Sequence, residues 1–90
     1  MSYYVYVLEN RHDKSWYTSF TENIKQRLIN HNSGRGGNTT KRKGGWKLIY
    51  CEIYINKQDA IGREKFLKSG SGKKYLKKQL KNYLKIDPNL

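Results

Sequence analysis

The order of elements legible in this sequence predicts a small α+β domain, β-β-α-β-α-α, with a three-stranded, mainly antiparallel sheet flanked by helices. Three observations carry that expectation. Two strand-like runs at the N-terminus are joined by a turn too short for a parallel crossover. A long alternating run, WKLIYCEIYI at 46–55, supplies a third strand. The stretches that follow the second and third strands open on capping residues and continue at helical spacing. With 90 residues, the chain makes one domain, 1–90, ending in a short tail at 86–90.

In the first strand, SYYVYVL at 2–8, Tyr4, Tyr6 and Leu8 share one face and Tyr3, Val5 and Val7 the other. Both faces are apolar, which places this strand at the centre of the sheet. NRHDK at 10–14 is a polar turn, and residues 15–20 return antiparallel. Thr21 or Asn23 caps the next helix, with Glu22 at the positive end of its dipole. Ile24, Leu28 and His31 then follow helical spacing with Arg27 beside them, so Arg27 and His31 border the apolar stripe, partly shielded from water. The strand at 46–55 leads to a helix capped by Asn56, with Asp59 behind it, running to about Ser69 and stopping at Gly70. GSG at 70–72 reads as a turn, and 73–85 as a final helix with Leu76, Leu80, Tyr83 and Leu84 on its inner face. Pro88 ends helical geometry in the tail.

Charge narrows the function. Nineteen Lys+Arg against seven Asp+Glu give a net charge of +12, a self-repelling excess that a polyanion relieves. Eight tyrosines among the basic residues suit stacking on bases, although several alternate in strands and serve a core equally well. The final helix carries Lys73, Lys74, Lys77, Lys78, Lys81 and Lys85 with no acid to balance them, a face for a phosphate backbone or simply a solvated one. The glycine-rich loop at 32–45 holds Arg35, Lys41, Arg42 and Lys43, and reads either as a phosphate-binding segment or as a solvated linker. It does not match a P-loop. Cys51 is single, no zinc spacing occurs, and no apolar run spans a membrane. A cytoplasmic protein is expected.

Chemistry concentrates in a few residues. Tyr17 at the end of a strand, with Arg27 and His31 one helical turn apart, can hold and activate a phosphate. Glu64 falls in the apolar stripe of the second helix beside Ala60, Ile61 and Leu67. A carboxylate there needs a partner. The candidates are Arg27, Arg63, a lysine or a metal ion.

Together, Tyr4-Val5-Tyr6, Tyr17-Thr18-Ser19, Arg27, His31 and Glu64 resemble the GIY-YIG nuclease superfamily. The likeness is greatest to its small stand-alone bacterial proteins, which group with the N-terminal nuclease domain of the excision-repair excinuclease and with intron-homing endonucleases. RLINHNSG at 27–34, WKLIYCE at 46–52 and REKFLKSGSGKKYL at 63–76 are its most specific pieces. The resemblance implies a catalytic set of Tyr6, Tyr17, Arg27, His31 and Glu64. In it Arg27 contacts the scissile phosphate and Glu64 is the metal ligand, for Mg2+ or Mn2+. Tyr6 is the first choice of general base, with its pKa lowered by a nearby cation, and Tyr17 and His31 are partners or alternatives.

The implied function is a metal-dependent endonuclease acting on DNA, in repair, recombination or the processing of structured or single-stranded DNA. Arg35, Lys41, Arg42, Lys43, Lys73, Lys74 and Lys77 are the expected nucleic-acid contacts. Specificity then comes from the loop, the lysine helix, a homodimer or a protein partner. The chain departs from the family pattern at Tyr4 and Val5, at Thr18-Ser19 in place of Ile-Gly, and in lacking the asparagine many relatives carry after the glutamate, since Asn82 lies too far along. Those departures motivate the alternative of a catalytically decayed binding module on the same fold. A basic RNA-binding protein is the third reading, and it leaves Glu64 unexplained.

Overall fold

The structure, a computed structural model, describes residues 1–33 and 44–85. Three antiparallel strands form one sheet: β1 (Tyr3–Asn10), β2 (Trp16–Thr21) and β3 (Trp46–Tyr54), in the order β2-β1-β3. Central β1 is buried from Val5 through Asn10. This is what its two apolar faces require. The helices are α1 (Ile24–Asn32), α2 (Lys57–Lys68), α3 (Gly70–Gln79) and the single turn α4 (Lys81–Leu84).

The alternation of β1 sorts the core into two layers. Val5 and Val7 pack with Ala60, Leu67 and Leu76 of α2 and α3, while Tyr6 and Leu8 pack with Trp46, Tyr17, Ile24 and Leu28 on the side of α1. Register carries this across the sheet. Tyr6 lies opposite Ser19 on β2 and Cys51 on β3, and Leu8 lies opposite Tyr17. Tyr6, Tyr17 and Ser19 therefore share the α1 face.

Of the two candidate caps before α1, Asn23 holds the position, accepting a bond from the Gln26 amide. Asn56 caps α2 through the amides of Gln58 and Asp59. The expected turn at the next junction is absent. Residues 70–72 are instead the first turn of α3, because Ser69 ends α2 and caps α3 with its hydroxyl on the Gly72 amide. A Cβ on Gly72 would sit 1.8 Å from the Phe66 carbonyl oxygen. The glycine is there for close packing of two helices. The final helix is also not continuous: it breaks at Leu80, and Leu84 is exposed. Tyr83 of α4 instead donates to Glu9 Oε1 at 2.5 Å, while Trp16 Nε1 donates to Oε2 at 3.0 Å, which pairs this buried acid and ties α4 to the sheet.

The basic loop residues Arg35, Lys41, Arg42 and Lys43 and the tail at 86–90 lie outside the described residues. The chain on either side of that loop is held. The Asn32 side chain bonds both the amide and the carbonyl of Trp46, and Asn10 Nδ2 donates to the Gly44 carbonyl.

Candidate active site

Tyr6 and His31 are both completely buried, and the Tyr6 hydroxyl lies 2.9 Å from His31 Nε2. Helical spacing alone sets His31 at the border of the core; the structure puts it fully inside. The reason is the aromatic wall around it. The Tyr17 ring meets the imidazole edge-on at a centroid distance of 4.9 Å, and Trp46 lies behind Tyr17 at 6.2 Å. Burial holds the His31 pKa below its usual 6.5, and the nearby Arg27 charge lowers it further. His31 is thus neutral near pH 7.

Burial likewise pushes the Tyr6 phenol above its ordinary value of 10, against the opposing pull of Arg27 and of a hydrogen bond with Ser19. This corrects the expectation of a cation-lowered base. Arg27 does face Tyr6, but desolvation of a fully enclosed phenol outweighs one half-buried guanidinium. The Tyr6 hydroxyl and His31 Nε2 share this hydrogen bond, and which of them donates follows from the imidazole tautomer. Arg27 interacts with Tyr6 and, more weakly, with Tyr17, and those contacts raise its own pKa.

Glu64 is mostly shielded, with its side chain 15% exposed, and it sits between the buried Ala60 and Leu67 on α2. Its charged partner is Lys68, at 3.5 Å one turn on. The two arginines considered for it are engaged elsewhere: Arg27 with the tyrosines and Arg63 with Glu52, through Nε and Nη2 at 2.8 and 2.9 Å. Arg63 also stacks on Tyr75 and Phe66. Burial opposes the Glu52 charge. The Arg63 fork and the hydroxyls of Tyr50 and Tyr54 outweigh it and hold its pKa below 4.5.

The structure therefore gathers Tyr6, Tyr17, Arg27 and His31 in one cluster. Glu64 is not among them: α2 packs on the other face of the sheet, where Lys68, the partner of Glu64, lines a cleft of about 280 Å3. Lys73, Lys74 and Lys77 are exposed along α3. Ser19, which stands where the family motif has glycine, lies opposite Tyr6 on the face that also carries Tyr17. Its contact with Tyr6 shows how a serine is accommodated there. Among the described residues, no three of His, Cys, Asp and Glu cluster as a metal cage. One shielded carboxylate suits Mg2+ or Mn2+, which keep several waters and take further oxygens from a phosphate, better than it suits zinc or calcium.

The chain is similar to several known bacterial proteins. A UPF0213 protein of Clostridium perfringens is 42% identical over 65 residues, 72% of this chain and 69% of that protein. A UPF0213 protein of Staphylococcus saprophyticus is 36% identical over 75 residues, 83% of this chain and 90% of that one. The solution NMR structure of a UPF0213 protein from Bacillus halodurans is similar with a TM-score of 0.52 at 35% identity, covering 84% of this chain and 82% of that chain. The family model for the GIY-YIG catalytic domain matches residues 2–81, and the chain belongs to the GIY-YIG nuclease family.

Proposed function

We propose that the protein is a metal-dependent endonuclease that hydrolyses DNA phosphodiester bonds. The observation that carries this reading is the buried Tyr6–His31 hydrogen bond with Arg27 against the same phenol. Packing alone would be met by phenylalanine at position 6. With the imidazole in its Nδ1–H tautomer the phenol proton points at Nε2, and the pair can act as a relay. Neither side chain is exposed in the free protein, so bound substrate has to open the pair to the attacking water. That water then gives its proton to the Tyr6 oxygen while the phenol proton passes to His31 Nε2. Neither phenolate nor hydroxide then has to form alone in a buried site. Arg27 grips the non-bridging oxygens through its planar fork. Tyr17, edge-on to the imidazole, keeps it oriented. Glu64 would hold the metal ion, which supplies Lewis-acid stabilisation of the leaving 3′ oxygen.

The test is cleavage of end-labelled single-stranded, duplex and branched DNA in Mg2+, Mn2+ or chelator, by wild type and Tyr6→Phe. The wild type should cut only with metal, and Tyr6→Phe should lose roughly 10²–10⁴-fold in rate, the usual span of acid–base catalysis, while still binding DNA. Tyr6→Phe cutting at the wild-type rate would remove the relay. Binding without cutting in every metal would leave a binding module on the nuclease fold.

A further inference from the structure

The cleft at the β2 edge is built for more than access. Leu67 and Leu76 line it with Trp16, Thr18, Lys68 and Lys73. Trp16 is its aromatic wall, since the Tyr17 ring, although its residue borders the cleft, turns to the opposite face of the sheet against His31. Its volume, about 280 Å3, lies at the lower end of the ~300–1,000 Å3 usual for small-ligand sites. That suits one flat ring. Trp16 is preorganised, because its indole N–H is held by Glu9. The cleft adjoins the side of the proposed centre that carries Glu64, because Lys68 on its lining pairs with that acid. Lys73 adds positive charge to a rim where Lys68 is already paired with Glu64. The first turn of α3 contains no acid and is followed at once by Lys73 and Lys74, an arrangement its dipole disfavours and an anion would relieve.

We propose that this cleft receives the base of the nucleotide next to the scissile phosphate, with the adjoining backbone phosphate on Lys73. The inference rests on the nuclease reading and deepens it. A base reaches such a cleft only when it is out of a duplex stack. The substrate class is therefore DNA with an unpaired nucleotide at the cut. Extruding a paired base costs a few kcal/mol, whereas stacking on an aromatic wall returns about 1–3 kcal/mol, so a fully paired site is at a disadvantage.

The experiment measures binding without cleavage, by fluorescence anisotropy in chelator. The probes are a perfect duplex, the same duplex with one unpaired nucleotide, and the single strand. Wild type should bind the last two at least tenfold tighter than the duplex. Thr18→Phe, which fills the cleft, should bind all three within threefold of one another, with its fold checked by circular dichroism. Lys73→Ala, exposed on the rim, should reduce the salt slope on single-stranded DNA by about 0.7, the value for one lost phosphate contact. Equal binding of the three DNAs by wild type, or a preference that survives Thr18→Phe together with an unchanged salt slope in the lysine variant, would overturn the cleft assignment while leaving the nuclease reading intact. Failure to bind any DNA would overturn both.

Discussion

Tyr6 and His31, 25 residues apart in the chain, are bonded side chain to side chain with no exposed surface on either. Their burial has a pH consequence. The folded-state pKa of His31 is depressed, so folding favours the neutral ring. The stability this contributes is full above about 6.5 and is lost as pH falls through the lower, folded value. Melting temperature should therefore fall between pH 7.5 and 5 in wild type and change less in His31→Gln. The scan stays above the range in which Glu52, held below 4.5, loses its own contribution. Parallel curves for the two proteins would mean that His31 is not the group responsible. Part of this site was legible at the residue scale: helical spacing sets Arg27 and His31 one turn apart on α1 and alternation sets Tyr6 on one face of β1, while the grouping of Tyr6 with them came from the family resemblance. The partner of Glu64 was not. Its choice among Arg27, Arg63 and Lys68 depends on where competing acids lie in space, and Glu52, eleven residues before Arg63, claims that arginine.

At the scale of elements, the α2–α3 junction shows what a sequence pattern conceals. GSG at 70–72 has the composition of a turn, yet Ser69 caps α3 and the glycine at 72 lets the two helix backbones approach. Gly72→Ala should destabilise by about 1–3 kcal/mol or more, the range for overpacking, because the Phe66 carbonyl cannot retreat without unwinding the end of α2. Gly70→Ala meets nothing within 4 Å and should be neutral or stabilising by up to about 1 kcal/mol through helix propensity. Urea unfolding of both variants checks this. Equal effects would mean that the junction tolerates a side chain at 72. The strands were legible to within two residues at each end, since alternation in a sheet with two covered faces leaves little choice. The break at Leu80 was not, because it follows from the anchoring of Tyr83 to Glu9 on β1, a contact between residues 74 apart.

For the molecule as a whole, the net charge is +12, while the Tyr6–His31 pair of the proposed centre is buried and uncharged. Binding and chemistry are thereby assigned to different residues. Lys74 and Lys77 project from α3 away from Tyr6 and His31, so Lys74→Ala/Lys77→Ala should weaken binding to all duplex sequences alike. The slope of log K against log salt should fall by about 1.8, at ~0.9 per phosphate contact, with little change in the rate of bound substrate. An unchanged slope would show that the DNA follows another face. Fold class and basic character were legible from pattern and composition, but the two-layer division of the core required the sheet register. The most direct test of the account separates its two halves with one substitution. Single-turnover cleavage in Mg2+ would be compared between wild type and Glu64→Ala at matched DNA occupancy. The expected result is full binding with cleavage abolished; cutting by Glu64→Ala at the wild-type rate would contradict the assignment of Glu64 and with it the metal-dependent mechanism.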